Sequence, residues 1–585
     1  MVILFELEPY GQEFLENLGL GSRAYYDSQG FGHVPYVGYF YSARAQDCIF
    51  ILPKVFYHEA ILWAGAKDDA GKKLTKEAVI EIRKDKNPLK ESGLDKLIFE
   101  LSLWIYRSLA KFSERHPDSK IILKESCQII DSANGEKGHT LLDIILSLEK
   151  FHKDHSSLFT YISIINSQGY NKIHWPKTIS KTQPIIQNGI PYYFECKNKS
   201  KVYNYDEELI VLFYSVLQYL RHENMSSVRP NVNYNLMLPS KIKSMIENKM
   251  GTKLLRKIRR KYFKDELVQL WKLLYVFFDK AENIHSNKNA NEALLATSFN
   301  SVFEDMIDAL VGDPECERMK KLDDGKIIDH IFKYKSPIDG REIYYIGDSK
   351  YYAKDSELDK KSIYKQFTYA KNIIQSNIDE SLVKAGIRDE ETEGYNFTPN
   401  FFISAYIPYE KDGDKCIFTL NDFHTHRLED RSFDPTKYRS YHFKNRLFDR
   451  DTLYLTHVDI NLLFVIAIYA RDNKSEQRAF SDMFKEDIYQ AFSRLLNEKY
   501  DFYLIDDYSK EQISSNFKLL NGKIYEVTDN DKKSHLILAL EKGTDTSSYA
   551  KLFRSSEPSE TPEFLNEPTP LSKIQSIITP CQPSK

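Results

Sequence analysis

Two aspartates and a lysine carry the clearest chemistry in this sequence. Asp348 and Lys350 end a strand-like apolar run, EIYYIGDSKYY, at residues 342–352. Because side chains alternate along a strand, the carboxylate and the ammonium group project from the same face. Asp329 lies 19 positions before Asp348, in the middle of a second predicted strand, KIIDHIF, where an acid among apolar residues is costly unless it has a partner. We expect these three side chains to act together.

A hairpin would bring the two acids to one point. The segment at 336–340, SPIDG, has the residues of a tight turn between two strands. Two carboxylates, with backbone carbonyl groups and waters, form an oxygen site that suits Mg²⁺. A bound Mg²⁺ would activate a water and neutralise charge on a phosphate, and Lys350 would orient that water or stabilise the developing negative charge. The predicted chemistry is hydrolysis of a phosphodiester.

Two amphipathic helices are predicted to flank the hairpin. In residues 298–313, Glu304 sits at the edge of the apolar face, where it could reach the end of the sheet. In residues 360–374, Gln366 lies beside the apolar face and Lys365 is predicted to point away from the sheet. With a last strand after the second helix, the predicted order is helix, strand, strand, helix, strand.

This order of elements and acids resembles the PD-(D/E)xK nucleases. Two features depart from that pattern: Ile328, rather than proline, precedes Asp329, and Tyr369 follows Gln366 one position earlier than in the RecB-like form. Further pieces occur in an order similar to the LlaJI-type, McrC-like restriction subunits, patchily over residues 30–375. They are VGYFYSARAQDCIFILPKVF, NKIHWPKTI, SVFEDM, and GDSKYY followed by YKQ.

The resemblance implies a Mg²⁺-dependent restriction endodeoxyribonuclease of the type II or type IV kind, acting on double-stranded DNA. It also implies a separate McrB-like AAA+ NTPase as partner. The residues implied for catalysis are Asp329, Asp348, Lys350, Glu304 and Gln366, and those implied for the metal are Asp329, Asp348 and Glu304. Two alternatives stay open: a non-catalytic DNA-binding or assembly subunit with a decayed centre, and a nuclease of repair or RNA metabolism.

The strongest basic stretch lies at residues 241–264. Arg256, Lys257, Arg259 and Arg260 are predicted to contact the DNA backbone. The alternative is a solvated helix face whose cations pair with acids elsewhere.

Two other motifs invite a functional interpretation. His424 and His426, without a third evident ligand, favour a structural pair over a metal site, although the span 424–450 could line a DNA groove. The P-loop-like GAKDDAGKKL at 65–74 has five intervening residues and Lys73 in place of Ser or Thr, so no nucleotide hydrolysis is predicted.

Composition indicates a globular chain of several domains. It has 585 residues, 42% of them hydrophobic and 28% charged, and a net charge of −3. The predicted fold class is α/β (α+β), multidomain, with a mixed nuclease sheet flanked by helices. The predicted regions are a mixed α/β N-terminal part for DNA recognition or partner binding, a basic helical connection, the nuclease domain and a disordered tail, at 1–200, 205–290, 291–505 and 555–585. No signal peptide and no membrane span are apparent, so a cytoplasmic location is expected.

Overall fold

The structure of the protein is a computed structural model. It describes residues 2–45, 47–58, 61–62, 94–125, 140–155, 161–166, 172–204, 207–223, 228–229, 233–286, 291–320, 327–351, 360–378, 396, 398–407, 410–412, 415–417, 426–428, 445–449, 452–471, 473–529, 531–553 and 567–578. The P-loop-like segment at 65–74 and most of the span 424–450 lie outside these ranges. Within them, no helix is both long enough and apolar enough to cross a bilayer.

The N-terminal part alternates short strands with helices. Its elements are β1 (Val2–Phe5), β2 (Pro9–Gly11), α1 (Gln12–Asn17), β3 (Tyr25–Tyr26), β4 (Phe31–His33), β5 (Val37–Ser42), β6 (Asp47–Leu52), β7 (Tyr57–His58), β8 (Ile61–Leu62), α2 (Leu94–Arg115), β9 (Ile122–Glu125), α3 (Leu141–Asp154), β10 (Tyr161–Asn166), α4 (Trp175–Lys181), β11 (Ile185–Gln187), β12 (Ile190–Tyr192) and β13 (Asn198–Tyr203). Thr140 begins α3 with a capping box, in which its hydroxyl and the Asp143 carboxylate each accept a backbone N–H.

A helical stretch follows. It contains α5 (Glu208–His222), α6 (Pro239–Glu247), α7 (Gly251–Ile258) and α8 (Asp265–Ser286). A 3-10 turn, Arg259–Lys261, continues α7. Glu282 on α8 accepts hydrogen bonds from the backbone and the hydroxyl of Thr252 on α7, which locks these two helices together.

The remaining elements hold the predicted chemistry. They are β14 (Glu292–Ala296), α9 (Phe299–Val311), α10 (Glu317–Lys320), β15 (His330–Lys335), β16 (Glu342–Lys350), α11 (Lys360–Ile378), β17 (Asn400–Tyr406), β18 (Glu410–Asp412), β19 (Lys415–Ile417), β20 (His426–Leu428), β21 (Leu455–Asn461), α12 (Leu462–Arg471), α13 (Lys474–Lys499), β22 (Tyr500–Ile505), α14 (Lys510–Ser515), α15 (Phe517–Leu520), β23 (Ile524–Thr528), β24 (Ser534–Glu541), α16 (Ser547–Leu552) and α17 (Leu571–Ile578). The predicted order of helix, strand, strand, helix, strand is confirmed by α9, β15, β16, α11 and β17.

Two five-stranded sheets organise the chain. The first has the order β1, β6, β5, β14, β9 and the second the order β15, β16, β17, β21, β20. In the second sheet the two edge strands run antiparallel to their neighbours and the three central strands run parallel. A mixed α/β fold with several sheets, as predicted, is therefore confirmed. The strand β14 joins the N-terminal sheet, so a domain boundary at residue 291 would divide that sheet.

The second sheet is buried on both faces, which explains why β16 is an almost unbroken apolar run. On one face Phe332 and Tyr345 belong to the large core that contains Phe303 of α9. On the other face Ile346 packs in a cluster with Tyr369 and other residues of α11. The large core also joins the two sheets, because α2 packs on α12 and the Lys111 ammonium donates to the carbonyl of Tyr469 at 3.1 Å.

The prediction of a disordered tail over 555–585 is wrong for part of that range. Residues Leu571–Ile578 form helix α17, with Leu571, Ile574 and Ile578 buried. The Gln575 side chain donates to the carbonyl of Pro337, in the β15–β16 turn, at 2.6 Å. The three apolar residues recur on one helix face, so tertiary packing orders a segment whose surroundings are rich in Ser and Pro.

Candidate active site

The two predicted acids lie side by side at one end of the β15–β16 pair. In the antiparallel register His330 pairs with Gly347, so the next step places Asp329 opposite Asp348. The backbone N–H of Ser349 donates to the Asp329 carboxylate at 3.4 Å, which holds that acid against β16. The structure corrects one detail. Asp329 occupies a bend immediately before β15, not the middle of a strand, because the paired residues start at His330.

Asp348 is buried and poorly satisfied. Its side chain is 1% exposed, and neither carboxylate oxygen accepts a hydrogen bond from a described residue. Its close contacts are ion pairs with the ammonium groups of Lys350 and Lys365. A buried carboxylate without hydrogen bonds is costly, so it needs neighbouring cations to remain ionised.

The pKa of the Asp329 carboxyl group is strongly raised in this buried site. Burial is the largest cause that raises the pKa of Asp329, and the negative charge of Asp348 is the next; together they raise it to about 7. Two carboxylates that share a site resist ionising together unless a cation lies between them. The pair is therefore poised to accept positive charge.

Two lysines supply positive charge. Lys350 leaves β16 on the same face as Asp348, pairs with it, and is 13% exposed. The ammonium of Lys365, on α11, lies 3.6 Å from Asp348 and 3.9 Å from Asp329. The prediction that Lys365 points away from the sheet is therefore wrong. Helical spacing fixes where a side chain leaves the helix, but the long lysine stem reaches around to the carboxylates.

Gln366 lies on the buried side of α11, as the helical pattern predicted. It is fully buried, and neither its amide nitrogen nor its amide oxygen has a hydrogen-bond partner among the described residues. A buried amide in this state costs about 1–3 kcal/mol.

Glu304 is half-buried on α9, which packs on the opposite face of the sheet from α11. Its carboxylate accepts a hydrogen bond from the Asn300 amide at 2.6 Å. Burial is the largest cause that raises the pKa of Glu304, and the negative charge of Asp348 raises it further, whereas Asn300, His330 and Lys350 lower it. The charges of the site therefore act on the pKa of Glu304, although none of the described contacts joins its carboxylate to either aspartate.

A row of contacting polar side chains, which was not predicted from the sequence, lies on the other face of the same strands. His330 is fully buried, with Nε2 2.5 Å from the Ser349 hydroxyl and Nδ1 3.5 Å from the carboxylate of Asp308 on α9. Lys320 contacts Asp308 at 2.6 Å. Burial raises the pKa of Asp308, but His330 and then Lys320 outweigh it, so that pKa is lowered overall. The only sequence signal was that Asp308 lies one helical turn after Glu304. This row of side chains braces the strand ends that carry Asp329 and Asp348.

The predicted DNA-contact residues lie elsewhere, on α7 and the turn after it. The Arg256 guanidinium donates to the Tyr275 hydroxyl at 2.6 Å, and the Arg259 guanidinium lies over the Trp271 ring at 5.1 Å. Lys257 and Arg260 are exposed. None of the contacts among the described residues joins this basic surface to the carboxylate pair.

The donor set fits a hard divalent cation, because it offers two adjacent carboxylates, and neither oxygen of Asp348 accepts a hydrogen bond from a described residue. Among the described residues, no group of three or more His, Cys, Asp or Glu side chains has the arrangement of a metal site. The predicted third ligand, Glu304, is therefore not gathered with Asp329 and Asp348. His424 lies outside the described residues, so the His424–His426 pair is not observed.

The fold and site define a multidomain α/β protein with a carboxylate–lysine cluster at the end of a mixed sheet. A family model described as LlaJI restriction endonuclease matches residues 89–424. The match spans more than half of the chain and includes both aspartates, so the chain belongs to the LlaJI restriction endonuclease family. The resemblance to the LlaJI-type restriction subunits is confirmed, and the chain is a nuclease-class component of a restriction system.

Two further comparisons carry no further conclusion. No curated protein matches the chain. A search of solved structures found a chain of the refined half-complex from a tetradecameric assembly of Thermococcus gammatolerans McrB AAA+ hexamers with bound McrC. The two chains are 10% identical, with a TM-score of 0.25, over 80% of this chain and 98% of that chain. A likeness at this level says nothing about the fold or partners of this chain.

Proposed function

We propose that this chain is the Mg²⁺-dependent DNA endonuclease subunit of a restriction system and that its centre is of the PD-(D/E)xK kind. One observation carries the proposal: Asp329, in the bend before β15, lies opposite Asp348 on β16, and Lys350 pairs with Asp348 on the same face. Membership in a restriction endonuclease family supports a phosphodiester as the bond that is cut.

The metal is supported by the state of the two acids. Neither oxygen of Asp348 accepts a hydrogen bond from a described residue, and the pKa of Asp329 is raised to about 7 by burial and by the charge of Asp348. A divalent ion held by both carboxylates would remove that repulsion. Carboxylate oxygens are the ligands that Mg²⁺ prefers, and restriction endonucleases generally use divalent metals.

Each residue of the proposed centre has a separate role. When bound, Mg²⁺ would neutralise charge on the phosphate and acidify a water. Asp329 and Asp348 would hold the ion, and Asp348 also fixes the Lys350 ammonium through their ion pair. Lys350 donates to the attacking water or to the phosphate oxygen on which negative charge develops. Gln366 offers an amide donor and acceptor that have no partner among the described residues, and Glu304 contributes to the charge around the site.

Two further parts of the proposal concern binding. The basic surface of α7 and the turn after it, with Arg256, Lys257, Arg259 and Arg260, would contact the backbone of double-stranded DNA. A separate McrB-like AAA+ NTPase would act as partner, as the sequence resemblance implies.

The direct test is cleavage of supercoiled plasmid by the full-length chain. It is run with Mg²⁺ or with EDTA, and with or without an McrB-like NTPase plus nucleotide. We expect nicked or linear DNA only when Mg²⁺ is present. Absence of cleavage under all these conditions would favour a non-catalytic assembly subunit. Cleavage of a structured RNA, with plasmid left intact, would favour RNA metabolism.

A further inference from the structure

The Lys365 ammonium occupies a specific place in the site. It lies 3.6 Å from one oxygen of Asp348 and 3.9 Å from one oxygen of Asp329, so a single cation bridges both acids. Lys350, in contrast, contacts Asp348 alone among these two. Lys365 therefore holds the position between the carboxylates that a divalent ion shared by the pair would need.

The charge balance points the same way. When both carboxylates are ionised, they and the two ammonium groups sum to zero charge in the metal-free site. An incoming dication would leave an excess of positive charge within a few ångströms of both lysines, where repulsion between like charges is strong. Departure of one ammonium group relieves most of that repulsion.

Lys365 is the ammonium that can leave. Its side chain is 42% exposed, whereas that of Lys350 is 13% exposed. Its ammonium group lies 5.3 Å from the centre of the Tyr369 ring, and the Tyr369 hydroxyl is itself held by the carbonyl of Ile327 at 2.6 Å. The ring is therefore fixed, while the four-carbon lysine stem can turn outward into water.

We propose that Lys365 is the resident counter-cation of the Asp329–Asp348 pair and that a divalent ion entering the site displaces it. The inference rests on the proposed metal centre and goes beyond it, since it gives a role to a lysine outside the D-x-K motif. In the metal-free protein, Lys365 offsets the negative charge of the two acids. It also lowers their affinity for the ion, because the ion must displace it.

The test measures binding of Mn²⁺ alone to the metal-free, full-length protein by electron paramagnetic resonance, without DNA. Lys365→Met removes the charge and keeps the stem, and we expect it to bind Mn²⁺ roughly two- to thirtyfold more tightly, the range for removal of two partly exposed ion pairs. Lys371→Met, on the same helix, is the matched control and should bind as the wild type does. Lys365→Arg, which keeps the charge, should not bind more tightly.

A second readout detects the displacement itself. Brief acetylation followed by peptide mass spectrometry reports how accessible each lysine is, and we expect Mg²⁺ to increase modification of Lys365 but not of Lys371. Unchanged Mn²⁺ affinity in Lys365→Met, or unchanged acetylation of Lys365 with Mg²⁺, would overturn the inference. If the wild type binds no Mn²⁺, or Asp348→Asn binds it equally well, the proposed metal centre itself fails.

Discussion

Asp329 lies opposite Asp348 across the antiparallel pair of β15 and β16, one step beyond the last paired residues of the ladder. The two acids come from segments 19 positions apart in the sequence. Their proximity has a measurable consequence, because burial and the charge of Asp348 raise the pKa of Asp329 to about 7.

The first prediction follows from that pKa. A divalent ion must displace the proton of Asp329, so the affinity for Mn²⁺ should rise about tenfold per pH unit below 7 and level off above it. Titrations of the metal-free protein at pH values on both sides of 7 measure this. An affinity that does not change with pH across 7 would contradict the shared site.

The stability of the metal-free protein should change with pH in the opposite sense. The ordinary pKa of an aspartate is 3.8. Between that pH and a pH of about 7, the folded state retains a proton on Asp329 that the unfolded chain releases. Stability from this group is therefore present at low pH and is lost as pH rises through about 7. Asp329→Asn should remove that loss, so its free energy of unfolding at pH 8 should exceed that of the wild type. Denaturant titrations at acidic pH and at pH 8 make the comparison.

Part of this site could be predicted from sequence and part could not. The D-x-K at the end of β16 was readable, because strand alternation alone places Asp348 and Lys350 on one face. The contact of Lys365 with the acids was not, because helical spacing gives no information about the reach of a flexible side chain. The contact between His330 and Asp308 joins residues with no shared spacing, so only the packing of α9 on β15 reveals it.

The same distinction holds for the fold. The flanking helices and the strands of the site follow from apolar periodicity, which is a local property. Pairing of β14 with β5 and β9 is a long-range event that local pattern does not encode. The helix α17 likewise forms because it packs at the β15–β16 turn. The Ser- and Pro-rich composition of residues 555–585 gave no sign of that packing.

Lys350→Ala should act on the rate of cleavage more than on binding. Loss of one group that stabilises developing charge typically costs on the order of 10²–10³-fold in rate. Single-turnover cleavage and Mn²⁺ binding, measured side by side, separate the two effects. The matched control is Lys333→Ala, an exposed lysine of β15, which should cleave normally. Cleavage by Lys350→Ala at the wild-type rate would place the charge-stabilising group elsewhere.

Gln366→Met should stabilise the protein while it impairs activity. Methionine has a similar shape, and the change removes a buried amide that lacks partners among the described residues, which should raise the free energy of unfolding by about 1 kcal/mol. Chemical denaturation and single-turnover cleavage measure the two effects. A loss of stability would show that the amide has a structural partner, and an unchanged cleavage rate would remove Gln366 from the site.

The basic surface makes a prediction about salt. Arg256 and Arg259 pack on aromatic rings, so the exposed Lys257 and Arg260 are the cleaner targets. Lys257→Ala with Arg260→Ala should weaken binding to any DNA sequence and reduce the log–log salt slope by about 0.9 for each phosphate that the protein no longer neutralises.

The control for this surface is Lys241→Ala with Lys243→Ala, which removes the same charge from α6. An unchanged slope combined with loss of the NTPase in a pull-down would assign the surface to the partner. If neither the slope nor the pull-down changes, these cations form only a solvated face.

The central claim is that the paired aspartates are the cleavage centre, and single-turnover plasmid cleavage by Asp348→Asn tests it most directly. Asp339→Asn, a buried aspartate at the other end of the same hairpin, is the control for the cost of altering a buried acid. We predict that Asp348→Asn lowers the Mg²⁺-dependent rate by at least about a thousandfold while DNA binding stays near the wild-type level, and that a folded Asp339→Asn still cleaves. Cleavage by Asp348→Asn at the wild-type rate would contradict the account and place the centre elsewhere in the chain.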